Sequence, residues 1–204
     1  VITVGPEGAD EILRKSLAMG ADEAIHLWDD QFEGSDSFVI ARILSVEIAR
    51  RNYDLILAGA QASDDGCAQI GGLLASILSI PSVSLVNQMK VENGKVLASR
   101  EIEGGLSENV EVLLPALLTV QTGINEPRYV SMRGIRKVAG VDIGMKGLQQ
   151  IGMKPDEVGL KGSRIRLEGL FVPPAKKEAV LVQGDAELSS SQLAKILKER
   201  GGIV

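Results

Sequence analysis

The sequence predicts an α/β fold: a parallel sheet built from βαβ units, an antiparallel addition to that sheet, and an extended C-terminal arm. Three observations predict it. Short apolar runs at residues 1–4, 24–27 and 55–58 alternate with stretches of helical period. An Asn93-Gly94 pair separates two runs of strand character, which marks a hairpin. Beyond Val138 the periodicity lapses, and Gly140, Gly144, Gly147, Gly152, Gly159 and Gly162 space out a segment expected to pack on something else.

Taken in order, residues 1–4 read as a buried strand and Gly5-Pro6 as its turn. Ala9, Ile12, Leu13, Leu17 and Ala18 fall at helical spacing, and Gly20 stops that helix. The strand at 24–27 is followed by a polar loop over 29–37 and by a helix with Val39, Ile43 and Leu44 on one side. Strand 55–58 runs into a second helix carrying Ile70, Leu73, Leu74, Ile77 and Leu78, closed by Pro81. Right-handed crossovers would gather the loops after these strands on one sheet edge, where ligands of such folds bind. Residues 86–91 and 96–102 form the predicted hairpin, and 110–114 and 117–121, interrupted by Pro115, a second strand pair. A short helix over 191–200, with Leu193, Ile196 and Leu197, ends the pattern.

A chain of 204 residues supports one domain with a small appendage, and 45% hydrophobic content is enough for a sizeable core. A net charge of −5 argues against nucleic acid as a general partner. One cysteine excludes an intrachain disulfide framework and points to a reducing compartment. No apolar run approaches the ~18 to 20 residues of a membrane span, so membrane insertion is not expected. Val1-Ile2-Thr3-Val4 reads as a core strand rather than a natural start. Material before it is therefore expected to be missing, and no signal peptide is read there.

The stretch AGAQASDDGCAQIG at 58–71 opens a helix directly after a buried strand. A helix N-terminus offers unpaired N–H groups and partial positive charge, enough to bind an anion without lysine. Gly59 and Gly66 let the backbone turn and approach a ligand, while Gln61, Ser63 and Gln69 can donate hydrogen bonds. The plainer alternative is that Asp64 or Asp65 caps the helix. Spacing alone leaves the two evenly open. It does disfavour an NTPase loop, because the G-x-x-x-x-G-K pattern is absent.

His26, the single histidine, sits in a short apolar strand and reads as structural. Cys67 has no histidine near it in sequence, and neither CxxC nor HExxH spacing occurs, so neither cysteine catalysis nor a metal site is predicted. Glu101 and Glu103 are not read as a catalytic carboxylate pair. Asn125-Glu126-Pro127-Arg128-Tyr129 packs an acid, a base, a proline and an aromatic into one turn, and residues 130–137 mix apolar side chains with positive charge. One reading is a turn and a solvated helix. The other is a docking loop whose Met132 anchors an apolar pocket while charges steer an acidic partner.

Three segments in order, Arg100-Glu101-Ile102-Glu103-Gly104-Gly105-Leu106, Leu114-Pro115-Ala116-Leu117-Leu118-Thr119 and Asn125-Glu126-Pro127-Arg128-Tyr129, resemble the beta subunit of electron transfer flavoproteins. Residues 17–22 and 58–71 match as well, and the resemblance covers nearly the whole chain; the family's first strand, helix and loop have no counterpart here. It implies a Rossmann-like sheet of the adenine nucleotide alpha hydrolase-like type, with a nucleotide-binding domain over 1–137. The arm and short helix over 138–204 would pack on an alpha subunit. It implies an electron carrier rather than an enzyme: a heterodimer moving electrons from flavin dehydrogenases such as acyl-CoA dehydrogenases to a quinone oxidoreductase or a low-potential acceptor. A prokaryotic cytoplasm is the implied setting, ahead of a mitochondrial matrix.

The family's FAD is held mainly by the alpha subunit, and the beta subunit buries a nucleotide of its own. By this resemblance Gly59, Gln61, Ala62, Ser63, Asp64, Asp65, Gly66, Cys67, Ala68, Gln69 and Ile70 line that nucleotide, with Val4 near its base. The acids would cap the helix or bind sugar hydroxyls. Asn125 to Tyr129 with Met132, Arg133 and Ile135 would form the recognition segment, Met132 standing at the anchoring leucine's position. Glu101 matches an acid at a moving domain interface.

The nucleotide stays open between AMP and a second FAD. Asp65 and Cys67 resemble the AMP type, whereas Ala68 and the run 159–163 continuing to 171–174 resemble the FAD type, which includes electron-bifurcating proteins. Two other readings remain. One is a stand-alone adenine-nucleotide hydrolase or stress-type protein of the same fold, which leaves the 125–129 signature unexplained. The other is a structural interaction subunit with an empty pocket.

Overall fold

The computed structural model describes residues 1–174 and 181–200. Of the segment 138–204 read as a partner-binding arm, residues 175–180 and 201–204 lie outside the described residues.

The chain runs β1 (Ile2–Val4), α1 (Ala9–Ala18), β2 (Ile25–Leu27), α2 (Ser37–Ile48), β3 (Leu55–Gly59) and α3 (Ile70–Leu78). These are βαβ units, as the alternation of apolar runs and helical period predicts. Then come β4 (Ser82–Glu92), β5 (Lys95–Ile102), β6 (Leu106–Leu113) and β7 (Ala116–Val120). The parallel strands are divided between two sheets. One is β1-β2-β8, all parallel, with β8 at Met145–Lys146; the other is β3-β7-β4-β5-β6.

Two sequence expectations change here. The second strand pair is not a pair: β6 joins β5 antiparallel, whereas β7 returns to lie parallel between β3 and β4. In addition, β4 begins at Ser82, so its first residues belong to the parallel core and only its far end forms the Asn93-Gly94 hairpin with β5. Glu103 lies beyond the end of β5, in a 3-10 turn.

Helix α2 ties the two sheets together. Val39 and Ile43 pack with Ile25, Leu27 and Phe32. Ala41 and Ile48 pack with Leu74 and Ala75 of α3 and Leu117 of β7, a cluster that Ile2 of β1 also touches. A separate core of Val83, Val86, Val96, Ala98, Val112 and Leu118 holds β4 to β7 together. His26 is buried, its Nε2 2.8 Å from the Gly5 carbonyl, in the structural role expected of it.

Beyond α4 (Met132–Val138), the first part of the segment expected to pack on an alpha subunit runs through β8, α5 (Leu148–Ile151) and α6 (Gly159–Gly162) and packs on this chain's own core. Leu148, Ile151, Met153 and Val158 join the core around Ile25 and Leu27. Side-chain-to-backbone bonds fix this segment. Asp29 accepts from Leu148 N at 3.0 Å and Ser35 Oγ from Gly159 N at 2.9 Å. The bond from Leu148, joined by one from Gln31, holds the Asp29 carboxyl below the usual range.

Val1–Arg166 is one unit and Leu167–Val204 a second. Within the second, Leu170, Phe171 and Val172 are exposed. Its helix α7 (Ala186–Glu199) begins five residues before the expected 191, because Asp185 accepts from Leu188 N at 2.9 Å and sets the start there.

Among the described residues Glu47 on α2 is the buried charge, 2% exposed. Its Oε1 accepts from Lys146 at 2.6 Å and from Arg51 at 3.1 Å, so β8 is tied electrostatically to α2. Oε2 has only Arg50 at 3.8 Å and makes no hydrogen bond. Burial pushes this carboxyl up, but the hydrogen bonds from Lys146 and Arg51 outweigh it and hold it below its ordinary range. Such a group stabilises the fold above the unfolded-state value and loses that contribution as pH falls through the folded one. Replacing Glu47 by Gln should therefore cost about 3 kcal/mol at pH 7 in urea unfolding. The deficit should shrink as pH falls below about 4.3, where the unfolded chain begins to take up the proton, and the charge's contribution should be gone below the lowered folded-state value.

Candidate functional site

β3 ends at Gly59, and Ala60 N donates to Val120 O at 2.9 Å, so the 58–71 loop leaves the sheet beside the end of β7. It closes on itself through side chains. Gln61 Nε2 donates to Gly66 O at 2.7 Å, Asp64 accepts from Asp65 N at 2.8 Å, and Asp65 accepts from Cys67 N at 2.9 Å. Gly66 and Ala68 take positive φ, 64° and 54°. The sharp turn predicted from glycine is thus shared with an alanine.

The acids do not cap α3, which corrects one of the two expected roles for them. Gln69 occupies the cap position and no side chain bonds to the first turn. Asp64 and Asp65 instead stabilise the loop, because their carboxylates reach the N–H groups one and two residues on before the helix begins. The first N–H groups of α3 are left for an acceptor from outside.

Opposite stands the start of α2. Asp36 Oδ1 accepts from Val39 N at 2.9 Å, and Oδ2 from Arg164 N at 2.7 Å and Ile165 N at 2.9 Å. Burial works to raise the Asp36 carboxyl, but these bonds, with one from Phe38 N, hold it below the ordinary carboxylate range. Ser37, the first residue of α2, and Ile70, the first of α3, both line one cleft of about 250 Å³. Two helix N-termini therefore converge on it.

Eight of the predicted residues form its wall: Gly59, Gln61, Ala62, Asp65, Cys67, Ala68, Gln69 and Ile70. Ser63, Asp64 and Gly66 belong to the loop but not to the wall, and Val4 packs half-buried on the core around Leu27. Ser37 lines the cleft without having been singled out from the sequence, and Ala58 and Ala60 of the 58–71 stretch line it too. Asp36-Ser37 before an apolar-periodic run is a legible helix start, but spacing does not tell which helix start faces which loop. The wall is small-sided and contains no lysine or arginine, so the cleft suits a ligand gripped by backbone N–H groups. One Nε2–H of Gln61 is committed to Gly66, which leaves its second N–H and its Oε1 to face a ligand.

The second predicted constellation lies elsewhere in the fold. Residues 125–131 follow β7 as irregular chain, and 132–138 form α4, with Ser131 Oγ accepting from Gly134 N at 3.0 Å as its cap. Asn125 Nδ2 donates to Glu126 O within the turn, and Arg128 Nη1 reaches Met19 O at 3.3 Å. Glu126, Pro127 and Arg133 are exposed, and Tyr129, Met132 and Ile135 stand 89%, 65% and 45% exposed. Glu101 is apart from them, exposed on β5 opposite Ser107 of β6.

Residues 1–143 match the family model described as electron transfer flavoprotein domain. The chain is 39% identical over 204 residues to the electron transfer flavoprotein subunit beta of Methylophilus methylotrophus, covering 99% of this chain and 77% of that protein. It is 39% identical over 203 residues to the caffeyl-CoA reductase-Etf complex subunit CarD of Acetobacterium woodii, covering 98% and 77%. With the Bacillus subtilis subunit beta the identity is 31% over 204 residues, covering 100% and 78%. Matches of this extent, with the α/β architecture above, show that the chain belongs to the beta-subunit family of electron transfer flavoproteins.

Proposed function

We propose that this protein is the electron-carrying beta subunit of a flavoprotein heterodimer. It pairs with an alpha subunit that holds most of the FAD, and it takes electrons from flavin dehydrogenases for delivery to a quinone oxidoreductase or a low-potential acceptor. The cleft between α2 and α3 holds the adenylate moiety of AMP or of a second FAD. The uncapped N-terminus of α3 opening on that cleft, beside the start of α2, is the observation that carries this reading.

The residues present fit such a group. An uncapped first turn of α3, a left-handed turn at Gly66 and Ala68, and walls of alanine and glycine leave room and donors for a phosphate and a ribose. Bound flavin supplies the electron-accepting ring; this chain's own residues bind, orient and dock. Residues 125–135 dock the dehydrogenase, with Met132 as the apolar anchor. The exposed apolar side chains of the Leu167–Val204 unit fit the role of a surface for the alpha subunit. The relative named as part of a caffeyl-CoA reductase complex keeps bifurcating chemistry within this proposal. No helix among the described residues is long and apolar enough to cross a membrane, and the bacterial relatives support a bacterial cytoplasm as the setting.

Two variants separate the two sites. Valine at Gly66 must adopt a φ of 64°, which for a β-branched residue costs about 1–2 kcal/mol and reshapes the loop. Gly66→Val should lower adenylate retained per heterodimer after gel filtration, and full retention would place the ligand elsewhere. Met132→Ala should slow electron acceptance about tenfold with nucleotide content intact. Equal rates would remove Met132 from docking.

A further inference from the structure

Helix α3 rests on β7 through side chains two positions apart, which strand geometry puts on one face. Leu117 packs on Leu74 and Ala75 in the body of the helix. Thr119 lies under its start: a Cβ placed on Gly71 would overlap Thr119 Cγ2 and stand 3.4 Å from Leu117 Cδ2. One position on, a Cβ at Gly72 would meet nothing within 4 Å, so the tight contact is confined to Gly71. Glycine is a poor helix former, and nothing in the propensity of α3 calls for it at its second position. What it permits is helix backbone laid directly against a methyl group.

That methyl is itself held. Thr119 is buried, and its Oγ1 accepts from Leu85 N at 3.1 Å. The bond, added to the stiffness of a β-branched side chain, fixes where Cγ2 points. Its donor comes from an irregularity in the pairing of β4 with β7, where Leu85 takes a φ of 60°. On its other side Thr119 stands in register with Ala58 of β3, a residue of the cleft wall. Ile70, just before Gly71, belongs to that wall as well, and Gly71 to the uncapped first turn. We infer that Thr119 is a positioning residue of the cleft: its methyl, met by a glycine, sets how close to the sheet α3 begins, and so where the first N–H groups of α3 are presented to a phosphate. The inference rests on the reading of the cleft as an adenylate site. A preorganised site tolerates about 0.5 Å of displacement. Relieving the overlap of an alanine at position 71 takes more than that.

The test uses the purified heterodimer. It follows, on dilution, the release of the adenylate that co-purifies beyond the alpha subunit's FAD, counted by mass as AMP or FAD. Gly71→Ala should speed release about tenfold. Thr119→Ser keeps the acceptor for Leu85 N and removes only the methyl, and it should speed release about threefold. The two changes together put the alanine Cβ where the methyl was, and release should return to within about twofold of the wild type. Val96→Ala, a core truncation on β5 outside the cleft wall, should lower the urea midpoint and leave release unchanged. Wild-type release from Gly71→Ala overturns the inference, and so does a double variant that releases as fast as Gly71→Ala. Release from Val96→Ala as fast as from Thr119→Ser would reduce the effect to general instability and overturn it too. Should Gly71→Ala yield no heterodimer, Thr119→Ser decides alone, with wild-type release counting against the inference. If Gly66→Val also keeps all its adenylate, the cleft reading falls; if Gly66→Val is depleted while Gly71→Ala is not, only the role of Thr119 falls.

Discussion

The carboxylate of Asp36 is where three parts of the molecule meet. One oxygen caps α2, and the other collects the N–H groups of Arg164 and Ile165, close to the end of the first unit at Arg166. An ionised carboxylate with its bonding capacity met by backbone donors is a stable junction, and those bonds hold its proton affinity down against burial. Because α2 touches both sheets, fixing its start fixes where Ser37 stands relative to the 58–71 loop. At the far end of the same helix, Glu47 does the corresponding work for β8 through Lys146. The cleft is thus a consequence of one helix anchored at both ends by buried or half-buried acids.

Much of this architecture was legible in the sequence, and the failures have identifiable physical causes. The apolar runs at 1–4, 24–27 and 55–58 became strands, and the intervening periodic stretches became helices, because the pattern of burial is set by helix and strand geometry. The pairing of 110–114 with 117–121 failed although the difference was in the residues. Leu106–Leu113 is half polar and alternates over Asn109 to Val112, as a half-solvated antiparallel strand does, whereas Ala116–Val120 is apolar but for Thr119, as a strand buried on both faces is. Pro115 between them suggested a turn, and in fact it separates a strand of the outer ladder from one of the core. The segment after Val141 was opaque for a different reason. It is held by Asp29, Ser35 and Asp36 through bonds to backbone N–H groups more than a hundred residues away, and no periodicity records these.

The candidate site divides in the same way. The location of the loop, its turn and the absence of lysine followed from residues 58–71 themselves. What the residues could not disclose was the use of their polar groups. Gln61, Asp64 and Asp65 turned inward to brace the loop, the uncapped N–H groups are those of the first turn of α3, and the start of α2 beside them lies more than thirty positions away and spends its own donors on Asp36. The segment from Asn125 to Val138 owes its position to α1 through Arg14 and Arg128, contacts that join residues over a hundred apart. The proposed nucleotide cleft and the proposed docking segment lie on different elements, an arrangement suited to a carrier: what it holds would stay in place while what it meets comes and goes.

The account stands on the claim that this chain holds an adenylate of its own. The most direct measurement is the release of small molecules by denaturing the purified heterodimer, with adenine and flavin counted separately by mass and absorbance. The account predicts two adenylates per heterodimer, one of them in the alpha subunit's FAD and the second as AMP or as another FAD. A single FAD with no further adenylate would contradict it and leave the cleft between α2 and α3 without its proposed ligand.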